Sequence, residues 1–74
     1  MAEVSRNKLV VLAILLAERW AGGLVERGES WDRLRDWVDG ATGGELDCQP
    51  LDILTDLVMS NVNRRTAVAE PAHG

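Results

Sequence analysis

The sequence contains no phenylalanine and no tyrosine, one cysteine, one histidine, one lysine and two prolines. Each shortage removes a class of protein. A single cysteine, Cys48, excludes an intramolecular disulfide, and a secreted domain this small without disulfides is unusual. A cytoplasmic setting is therefore expected. One histidine and one cysteine give no Cys/His cluster, which excludes a zinc site at ordinary ligand spacing. His73 sits beside Pro71 near the end of the sequence, a poor position for a general base. Cys48 has no histidine near it in sequence to activate it, and it reads as a small buried apolar residue that caps the core. No catalytic residue, cofactor site or small-molecule substrate is expected.

The basic residues number 8 against 12 acids, a net charge of −4. Non-specific nucleic-acid binding is driven by basic side chains, so nucleic acid is not expected as a partner. The acids are concentrated: residues 23–47 hold seven of them against Arg27, Arg33 and Arg35. Glu26, Glu29, Asp32, Asp36 and Asp39 are expected to form an acidic surface that orients a partner. Asp32/Asp36 and Asp52/Asp56 are carboxylate pairs at i, i+4 but read as solvated. The segment 39–47 lacks the alternating spacing of a calcium loop, and its glycines lack the Gly-Lys-Ser/Thr of a phosphate loop.

What remains is helical periodicity. Seventy-four residues make one small domain. No segment alternates at period two, so the expected fold is all-α with three helices. A domain over 1–66 and a flexible tail over 67–74 are expected.

The first helix is expected to start after Ser5, an N-cap candidate. Gly22-Gly23 is one candidate end; the alternative, a long helix that continues to Gly28, is favoured because Trp20 and Leu24 are spaced to pair. The second is expected to start at Ser30 and stop at Gly40, with Trp31, Leu34, Trp37 and Val38 on one narrow face. A Gly-rich loop over residues 40–49 follows. Pro50 suits a first helical turn. Leu51, Ile53, Leu54, Leu57, Val58 and Val62 then make an apolar stripe, with Asp52 and Asp56 opposite.

Leu9 to Ala17 is an unbroken apolar run. A helix turns once in 3.6 residues, so the run covers every direction. Such a helix is buried on all sides or lies in lipid. At about 14 Å it is too short for a bilayer core of about 30 Å, so no membrane span is expected. Arg6, Lys8 and the run resemble the front of a secretory signal, but Glu18, Arg19 and Trp20 follow with no small-x-small site. The expected explanation is a protein interface made with a second copy, as a homodimer, or with another subunit of a complex. Leu12, Ala13, Leu16, Ala17, Trp20 and Leu24 are the expected contact residues, with Ala13, Ala17 and Ala21 as a flat ridge.

The expected function is thus that of a small non-catalytic interaction module: an accessory, adaptor or inhibitory protein. Two other classes carry a specific signal. A small transcriptional regulator or antitoxin, dimeric on DNA, would need Arg33, Arg35, Arg64 and Arg65 to converge on phosphates. An enzyme would need an activated Cys48.

Overall fold

The computed structural model describes residues 5–69. They form three helices and no strand: α1 over Arg6–Arg19, α2 over Glu29–Ala41 and α3 over Cys48–Ala69. The all-α fold is therefore as expected. The lengths are not. The first helix has 14 residues and the third has 22, so the long helix is the last one. It runs to Ala69. His73 and Pro71 lie outside the described residues.

Ser5 caps α1 as expected, its hydroxyl accepting the Lys8 N–H at 3.1 Å. The helix does not continue through Gly22-Gly23. Trp20 leaves helical geometry at the C-cap, its own N–H still bonded to the Leu16 carbonyl. Its indole Nε1 then donates to the Gly23 carbonyl at 3.0 Å. The ring lies so close over Gly22 that a Cβ there would collide with it. Leu24 is exposed and Val25 is buried, so the expected Trp20–Leu24 pairing does not form.

The connector from Trp20 to Gly28 lies along α3. Asn63 clamps it: the Val25 N–H donates to Asn63 Oδ1 at 2.9 Å, and Asn63 Nδ2 donates to the Val25 carbonyl at 2.8 Å. Gly28 (φ +113°) turns the chain into α2 and serves as its N-cap. Ser30 is not the cap. Its hydroxyl instead accepts the Glu26 N–H and donates to the Glu26 carbonyl.

Gly40 does not stop α2. The stop comes three residues later, at Gly43 (φ +74°). The Gly44 N–H reaches the Asp39 carbonyl at 2.9 Å and the Gly43 N–H reaches the Gly40 carbonyl at 3.1 Å. That pair of bonds is a Schellman cap, which needs a left-handed residue just past the helix. The loop is consequently shorter than expected, spanning residues 42–47.

α2 runs antiparallel to α3. Trp31 Nε1 donates to Asp56 Oδ1 at 2.8 Å, and Arg35 Nε donates to Asp52 Oδ1 at 2.6 Å. Asp52 and Asp56 therefore turn towards α2 while staying partly open to solvent, their side chains 51 and 44% exposed. Arg27 joins the same knot, 3.1 Å from Asp56 and stacked over the Trp31 ring at 5.6 Å.

α3 is the central element, packed against both other helices. Leu51, Leu54, Val58 and Val62 are buried along it, Leu57 is half-buried, and Ile53 is exposed. Leu34 and Val38 are fully buried from α2, and Leu9, Ala13, Leu16 and Ala17 are buried from α1. Each large aliphatic side chain buried this way contributes about 1.5–3 kcal/mol. Trp31 and Trp37 sit half-buried at the margin. Trp20 meets Trp37 edge to face, centroids 5.3 Å apart, so the end of α1 lies beside the C-terminal half of α2. That half adjoins the start of α3, so α1 runs antiparallel to α3.

Candidate functional site

The core-facing positions of α1 follow i, i+4, i+7, i+8 from Leu9. Only one side of the helix is needed to satisfy α3. The opposite side is nonetheless aliphatic. Val10, Val11, Ile14 and Leu15 are 38, 56, 45 and 52% exposed. α1 accordingly has almost no amphipathic asymmetry, whereas α2 has a strong one. At 100° per residue, Val11 and Glu18 point directly away from the core, with Ile14 and Leu15 on either side of that line. Asn7 extends the line at one end, with Lys8 next to Leu15 on its flank.

Beside this face lies an open groove of about 300 Å³, lined by Leu12, Leu15, Leu16, Glu18, Arg19 and Ala41. It lies between the C-terminal half of α1 and the last residue of α2. The Trp20–Trp37 pair lies at the same end of the molecule.

The expected contact residues divide. Ala13, Leu16 and Ala17 are buried in the chain's own core. The small-residue ridge meets α3, not a partner, because α3 needs close approach there. Ala21 lies outside the helix and is exposed. Leu12 and Trp20 are half-buried at the edge of the open face, and Leu24 is exposed in the connector. The residues that are in fact available on α1 are Val10, Val11, Ile14 and Leu15. The unbroken run contained them, but its lack of periodicity hid which side would be covered.

The acidic residues stay on the surface. Glu26, Glu29, Asp32 and Asp36 are exposed and Asp39 is half-buried. Arg33 is exposed among them. Arg35 is turned to α3, where its hydrogen bond to Asp52 raises its pKa above the ordinary arginine value. Arg35 and Arg64 lie apart along α3. Arg35 lies opposite Asp52, and Arg64 is twelve residues further along α3, about 18 Å at 1.5 Å per residue.

Cys48 is exposed in the first turn of α3, not tucked into the core. Among the described residues no three His, Cys, Asp or Glu side chains are grouped to hold a metal ion. Every buried side-chain polar atom among them has a partner. No described helix is long and apolar enough to cross a membrane.

No protein-family model, curated protein or solved structure matches the chain.

Proposed function

We propose that this chain is a small non-catalytic interaction module, an accessory, adaptor or inhibitory protein, and that it binds through the outer face of α1. One observation supports the reading above the others: Val10, Val11, Ile14 and Leu15 form a contiguous aliphatic face on a helix whose other side already fills the core. Leaving those side chains in water forgoes about 25 cal/mol for every Å² that a partner would cover. Two neighbouring features extend the surface, the groove at Leu12 and Ala41 and the Trp20–Trp37 edge. The acidic side of α2 would orient the approach. A cytoplasmic setting belongs to the same reading, supported by the unpaired and exposed Cys48.

A photo-crosslinking side chain placed at Val11, in cells that produce the chain naturally, tests this directly. Discrete adducts from Val11, with none from the same group at Ser60 on the exposed side of α3, are the expected result. An absence of adducts from Val11 would remove the reading.

A further inference from the structure

We draw no further inference here: the strongest candidate, the outer aliphatic face of α1 at Val10, Val11, Ile14 and Leu15, belongs to the surface already described, and nothing in the structure shows what covers it.

Discussion

Asn63 carries more of this fold than its surroundings suggest. Its amide satisfies both backbone groups of Val25, the one buried residue of the connector. Asn63→Ala removes both bonds and leaves a part-buried N–H and carbonyl unpaired, at a cost of about 1–3 kcal/mol. In a domain of this size each kcal/mol lowers the melting temperature by about 4–8 °C. Asn61 is the internal control. Its amide bonds only to the Leu57 carbonyl one turn back, so Asn61→Ala should leave the melting temperature close to that of the parent. Equal losses from both substitutions, in a thermal melt followed by circular dichroism, would contradict the clamp. The same scale explains Asp56. Its spacing from Asp52 marks a polar face, but two partners, the Trp31 indole and Arg27, come from residues about 25 and 29 positions away in sequence. Contacts of that range leave no local pattern to read.

At the scale of the element, the glycines of α2 separate two roles that look alike in sequence. Gly40 lies inside the helix with open space where a Cβ would go, whereas Gly43 holds φ +74° beyond its end. Gly40→Ala should therefore stabilise the protein by about 0.5–1 kcal/mol. Gly43→Ala should destabilise it by about 1 kcal/mol or more, since only glycine adopts that conformation without strain. Opposite signs in urea titrations are the expected outcome; the same sign for both would refute the cap assignment. Helix existence was legible from the apolar spacings of α2 and α3 and from Ser5, because those signals are local. Boundaries were not. The end of α1 depends on an indole folding back onto Gly23, and the start of α2 depends on Gly28 and not on the serine that resembles a cap. Of the two ends the sequence allows for α1, the structure takes the earlier one, before Gly22-Gly23, so the long helix is α3. The residues of the open face were legible as hydrophobic, but their sidedness was not. Only the position of α3 decides that Ala13, Leu16 and Ala17 go inside while Val11 and Leu15 stay out.

The whole molecule is a two-sided arrangement around α3, with α1 and the knotted connector–α2 unit packed against it. The α2 side is finished by ion pairs and indole hydrogen bonds, and its outer surface is acidic. The α1 side is left aliphatic on both faces. That asymmetry is the basis of the interaction reading, and it makes a spatial claim about where association begins. A photo-crosslinking scan along α1 and α3, in cells that produce the chain naturally, tests it most directly. Crosslinking groups at Val10, Val11, Ile14 and Leu15 should give discrete adducts, while those at Ser60 and Arg64 on α3 give none. An absence of adducts from α1, or adducts confined to α3, would contradict binding through α1.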